Sequence, residues 1–104
     1  MKRACFILKI EPGTETAYDE LHHRMSNDLL AAIRQSGMRN YTLFRSGSDV
    51  IGYVEADPDF VTAREMLEAR LEFQDWARGF SGIFADSEDG SASLVELQEI
   101  WHVD

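Results

Sequence analysis

Tyr18 and His22 stand four residues apart in a stretch of helical periodicity, so they share one helix face. Histidine is the side chain whose charge changes near neutral pH, and a phenol both donates and accepts hydrogen bonds. Such a pair suits proton transfer to or from a hydroxyl-bearing ligand. The same spacing also describes a partly exposed helix edge that does no chemistry. His23 points about 100° away from His22 on a helix, which reads as a solvated position. Tyr41, preceded by Asn40, and Trp76 each offer a flat apolar face with a hydrogen-bonding edge. Sugars present C–H patches and hydroxyls together, so such aromatics suit them, although ordinary core packing uses the same residue types. A three-histidine metal site from His22, His23 and His102 matches no ligand spacing, so no metal is expected. There is no Gly-rich phosphate loop, zinc motif or Gly-x-Ser-x-Gly signature, and no cofactor is expected. Arg3, Arg24, Arg39, Arg45, Arg64, Arg70 and Arg78 are scattered among acids and read as solvated surface pairs.

These residues must be carried by regular elements. Residues 3 to 10 read as a strand that ends at Glu11-Pro12-Gly13. Thr14 is a plausible N-cap for the next helix, and Glu15 favours its first turn. Leu21, Met25, Leu29 and Ile33 then form one apolar stripe, with Gly37 as the stop. Residues 39 to 45 and 50 to 56 read as strands joined by the turn Ser46-Gly47-Ser48-Asp49. A helical stretch from Asp59 to about Phe80, divisible into two helices, follows Asp57-Pro58. Residues 85 to 93 form a polar loop, and the last strand is expected over residues 95 to 103. The order is βαββαβ, which predicts an α+β, ferredoxin-like fold with a four-stranded antiparallel sheet and helices on one face. The strands carry apolar or aromatic residues at both parities (Phe6 and Ile7, Tyr41 and Leu43 against Phe44, Ile100 and Trp101). Both sheet faces are therefore expected to be covered, the second by another copy of the chain in a dimeric α/β-barrel.

Composition narrows the class of function. The length of 104 residues suits one domain, 1–104, and 44% apolar residues suffice for a core. A domain of this size gains from a partner subunit, and a homodimer is expected. The formal net charge of −9 argues against nucleic acid and anionic membranes as partners, but not against a neutral small molecule such as a monosaccharide. One cysteine, Cys5, excludes an intrachain disulfide, and its apolar neighbours suggest a buried thiol. The chain opens directly on a strand-like pattern, and no apolar run approaches membrane-spanning length, so a cytoplasmic protein is expected.

The ordered set of these pieces resembles the L-rhamnose mutarotase family along the whole chain. The similar segments are the opening strand from Arg3 to Ile10, the Tyr-x-x-x-His of Tyr18 and His22, and Gly37 to Tyr41. Trp76 and the closing Leu97-Gln98-Glu99-Ile100 complete the match. The resemblance implies a single mutarotase-like domain with one sugar pocket per subunit. It implies His22 as the proton donor, with Tyr18, Tyr41 and Trp76 around the sugar and Asn40 supporting the pocket. Family members usually follow the histidine with an Ile-Trp-Pro-Glu-like stretch, where this chain has Met25-Ser26-Asn27-Asp28. Many also carry a second aromatic after the tryptophan, where this chain has Ala77. A looser pocket, for L-rhamnose or a closely related deoxy sugar, is expected from those two departures.

Interconverting α and β anomers needs little from a protein. The ring oxygen gains a proton, the anomeric hydroxyl loses one, and the ring opens and recloses on its other face. Such positioned proton transfer typically contributes about 10²- to 10⁴-fold. Two other readings share the expected fold: a cofactor-free or haem-handling monooxygenase of the dimeric α/β-barrel type, and a non-catalytic sugar-binding barrel.

Overall fold

The first strand, β1 (Lys2–Lys9), buries alternate residues. In this computed structural model, which describes residues 1–85 and 92–104, Ala4, Phe6 and Leu8 point into the core and Cys5 and Ile7 to the opposite face. That alternation is the period of two expected of a strand with one packed face. Two helices follow, α1 (Glu15–His23) and α2 (Asn27–Gln35). The unbroken helix expected from Thr14 to Gly37 is thus divided at Arg24 to Ser26. Ser26 is the reason: it adopts an extended conformation and its Oγ accepts the Leu29 N–H at 3.1 Å, which starts a new helix. The apolar stripe survives the break, because Leu21, Met25, Leu29 and Ile33 all pack into or against one core. Thr14 stands before α1, but its hydroxyl donates to the Glu11 carbonyl rather than capping the helix.

Strands β2 (Met38–Ser46) and β3 (Asp49–Ala56) form the expected hairpin, and the four-stranded antiparallel sheet has the order β2-β3-β1-β4. Gly52 on β3 is required by packing, since a Cβ there would collide with the Phe6 ring. Full burial of an aromatic such as Phe6 stabilises by about 1.5–3 kcal/mol. The second helical region divides into α3 (Phe60–Glu68), capped by the Asp59 side chain, and α4 (Leu71–Ala77), which runs into a short 3₁₀ turn at Arg78–Phe80. The helices pack on the face of the sheet that holds Phe6, Val50 and Val54, and this completes the ferredoxin-like α+β fold.

The last strand, β4 (Val95–Leu97), is shorter than the residues 95 to 103 expected. It pairs with β1 only from Cys5 to Ile7. Beyond it the tail is anchored by Glu99 on Arg3 at 2.7 Å, while Ile100 and Trp101 are exposed and belong to no strand. Most of the polar loop expected at residues 85 to 93 lies outside the described residues. The face of the sheet away from the helices carries Phe44 (63% exposed), Ile51, Val95 and Leu97, and is open to solvent in the single chain. Cys5 lies on that face, half-buried rather than buried as expected. Among the described residues no helix is long and apolar enough to cross a membrane.

Strand β2 contains one irregularity that matters for the site. Arg39 pairs with Glu55 and Thr42 with Tyr53, so Asn40 and Tyr41 together stand against Val54 alone. Asn40 takes a left-handed backbone (φ 51°), which asparagine tolerates better than most residues. The extra residue shifts parity along the strand. Before it, Met38 faces the core opposite Ala56; after it, Leu43 and the exposed Arg45 stand on the helix-covered side of the sheet, opposite Gly52 and Val50. Tyr41 falls on the core side of the same shift.

Candidate active site

Between the sheet and the helices lies a cavity of about 160 Å³, lined mainly by apolar side chains. Ligand pockets for drug-sized molecules run from about 300 to 1,000 Å³, so this one is on the scale of a single sugar ring. Of the five residues singled out from the sequence, Tyr18, His22, Tyr41 and Trp76 line it. Asn40 does not; it is exposed, and its Nδ2 donates to Glu55 Oε1 at 3.0 Å on the opposite face of the sheet. Its contribution is the backbone turn that brings Tyr41 inward.

His22 is enclosed by aromatic rings. Its ring centroid lies 4.6 Å from that of Tyr18, 5.1 Å from Trp76 and 5.6 Å from Phe80. Its Nδ1 is 2.9 Å from the Tyr18 main-chain carbonyl. A carbonyl oxygen only accepts, so Nδ1 carries the hydrogen and donates it. In the neutral ring Nε2 is then a free lone pair. Loss of water in this apolar sleeve lowers the His22 pKa below the ordinary histidine value, opposed by the Tyr18 carbonyl and the Asp19 charge. Neutral imidazole is therefore the resting form at pH 7.

Tyr18 is only 4% exposed, and among the described residues no hydrogen bond reaches its hydroxyl. Burial raises its phenol pKa well above the usual tyrosine value, helped by nearby Tyr41 and Asp19. Tyr41 sits nearer the mouth and is 39% exposed, with its ring edge-on to Phe6 at 6.2 Å. Desolvation pushes its phenol up to about 12, against the pull of the Arg64 charge. Both phenols stay protonated at any ordinary pH and remain hydrogen-bond donors. A buried donor without a partner is costly, and a polar ligand would satisfy it.

Trp76 spends its indole N–H on the Leu21 carbonyl at 2.8 Å, so it presents only ring surface to a ligand. This bond also ties α4 to the end of α1 and fixes one wall of the site. Arg45 does the same for the hairpin, bonding both oxygens of Asp19 on α1 at 2.8 and 2.7 Å. His23 is exposed, and His102 bonds Asp104 in the tail, so the three histidines share no site. Among the described residues no group of three or more histidine, cysteine or carboxylate side chains is placed to hold a metal.

Several lining residues escaped sequence reasoning. Phe80 packs on His22, Tyr18 and Trp76 together; its spacing of four from Trp76 was a usable signal. Arg64 and Glu68 line the cavity from α3, whereas their i, i+4 spacing alone reads as a surface pair. The two departures that predicted a looser pocket part company here. Ala77 lines the cavity, but Ser26 is an exposed helix cap outside it.

The L-rhamnose mutarotase family profile matches residues 3–103. The L-rhamnose mutarotase of Oceanobacillus iheyensis is 24% identical over 106 residues, covering 100% of both chains. That of Opitutus terrae is 27% identical over 107 residues, again with 100% of each covered. The crystal structure of an L-rhamnose mutarotase from Formosa agariphila shares the fold, with a TM-score of 0.83 at 19% identity over 100% of both chains. With nearly its whole length matched, the chain belongs to the L-rhamnose mutarotase family, isomerases that act on carbohydrate.

Proposed function

We propose that this protein interconverts the α and β anomers of L-rhamnose, with neutral His22 as the proton shuttle. The observation that carries this reading is that His22 lines the cavity with Nδ1 donating to the Tyr18 carbonyl, which leaves Nε2 a free lone pair. Nε2 takes the proton of the anomeric hydroxyl, O1. The C1–O5 bond breaks with its electron pair moving to O5, and O1 becomes the aldehyde oxygen. O1 and O5 are attached to the same carbon, so the imidazolium formed can deliver its proton to O5. The aldehyde turns about C1–C2 and the steps reverse on its other face. His22 is thus acceptor first and donor second, which gives the proton-donor role implied by family resemblance a defined place in the cycle. The protonated phenols of Tyr18 and Tyr41 hold sugar oxygens, and the Trp76 ring packs against C–H surface.

The experiment is exchange NMR between the two anomer signals of L-rhamnose, with the uncatalysed rate subtracted. His22→Ala is expected to lose about two to four orders of magnitude in rate while staying folded. Near-full activity in that variant would exclude the mechanism. A haem-handling role on the same fold is disfavoured by the cavity's size, and a purely binding role leaves the free Nε2 unexplained.

The active form proposed is a homodimer packed sheet against sheet. The support is the open face of Ile7, Phe44, Ile51, Val95 and Leu97, apolar residues of which a single chain leaves all but the half-buried Ile7 exposed.

A further inference from the structure

Most of the cavity wall is apolar, and α3 interrupts it with Arg64 and Glu68. The two side chains pair at 3.3 Å between Nε and Oε2, and both are more than a third exposed (35% and 44%). They also line a second, more polar cleft of about 310 Å³ with Glu65, Glu96 and Leu94. The pair therefore stands as a partition between the site and that cleft. The Arg64 Nη groups make no hydrogen bond to a described residue, so donors remain available beside the Glu68 acceptors. Arg64 is also close enough to Tyr41 for its charge to act on that phenol.

We propose that Arg64 and Glu68 form a subsite that recognises two neighbouring sugar hydroxyls and thereby sets the sugar preference of this site. The inference rests on the mutarotase reading above. A guanidinium only donates and a carboxylate only accepts, whereas each sugar hydroxyl does both. A vicinal diol can therefore accept from Arg64 and donate to Glu68 at once. An anionic sugar fits less well, because Glu68 already balances Arg64 and the whole chain carries a net charge of −9. The pair contributes little to folding, since partly exposed ion pairs are weak. Its substitution leaves a folded protein in which recognition can be measured.

The test is anomer-exchange NMR on wild type, Arg64→Met and Glu68→Gln, using L-rhamnose and its 2-, 3- and 4-monodeoxy analogues. In wild type, at least one analogue should show a KM about tenfold higher with kcat retained, the loss expected for one charge-assisted hydrogen bond. In Arg64→Met, the KM for L-rhamnose itself should rise by a similar factor, and the penalty for that missing hydroxyl should disappear. Equal penalties in wild type and variant, or a flat deoxy panel in wild type, would overturn the proposal; the panel needs no variant to fold. If wild type failed to exchange L-rhamnose at all, the mutarotase reading would fall separately. Saturation-transfer contact with the sugar would still decide the subsite: contact weakened by Arg64→Met supports it, and unchanged contact overturns it.

Discussion

The proton shuttle proposed for His22 depends on two neighbours of different kinds. The Tyr18 carbonyl fixes which nitrogen carries hydrogen, and the surrounding rings remove water and lower the pKa. A shuttle that starts as a base must be neutral, so activity should fall as pH drops through the His22 pKa. That limb is expected below the ordinary histidine value of about 6.5, and a pH profile of kcat/KM measures it; a limb at or above that value would contradict the environment described. Stability follows the same sign. The unfolded chain takes up the proton at the ordinary value and the folded chain only lower, so stability decreases as pH falls through that interval. His23→Ala should leave the exchange rate nearly unchanged, because that side chain is exposed on another face. The Tyr18–His22 spacing was legible in the sequence because helical periodicity places i and i+4 together. The hydrogen bond to a main-chain atom was not, since no residue type encodes it.

At the level of elements, the shift in β2 decides which aromatic reaches the site. Asn40→Gly should be tolerated, because glycine adopts positive φ freely. Asn40→Val should cost about 1–2 kcal/mol, the strain of a left-handed backbone on a β-branched residue. A denaturant midpoint measures the loss, and it should be joined by a higher KM as Tyr41 loses its aim. Equal stability of the two variants would argue against the bulge. Regular alternation cannot anticipate such an inserted residue, and the mixed parity of Tyr41, Leu43 and Phe44 is its trace in the sequence. The break before α2 was masked in a similar way. The apolar stripe runs through it, and only the Ser26-Asn27-Asp28 cluster marks the new cap.

At the scale of the whole molecule, the element order alone was enough for the fold, because six segments in the order βαββαβ leave few ways to cover one sheet face with helices. The end of the chain was harder to read. Residues 98 to 104 have strand-like composition, yet they form no strand, and Glu99 meets Arg3 of β1 through its side chain. Ile100 and Trp101 (78% exposed) are exposed apolar residues like Phe44 and Ile51. Light scattering at micromolar concentration is expected to return twice the chain mass of 11.8 kDa. A monomer mass would refute the paired arrangement, and Phe44→Glu together with Ile51→Glu should shift a true dimer toward that mass.

The Tyr18 carbonyl has one more consequence, and it concerns heredity. The group that holds the histidine tautomer belongs to the main chain, so no substitution at position 18 can delete it. Mutation can strip the phenol, the indole or the bulky walls and still pass on a histidine with its outer nitrogen free. A lineage can therefore change the side chains around this site while the tautomer of its histidine stays fixed. Substrate range can then diverge through the side chains, with the reaction itself inherited through the backbone.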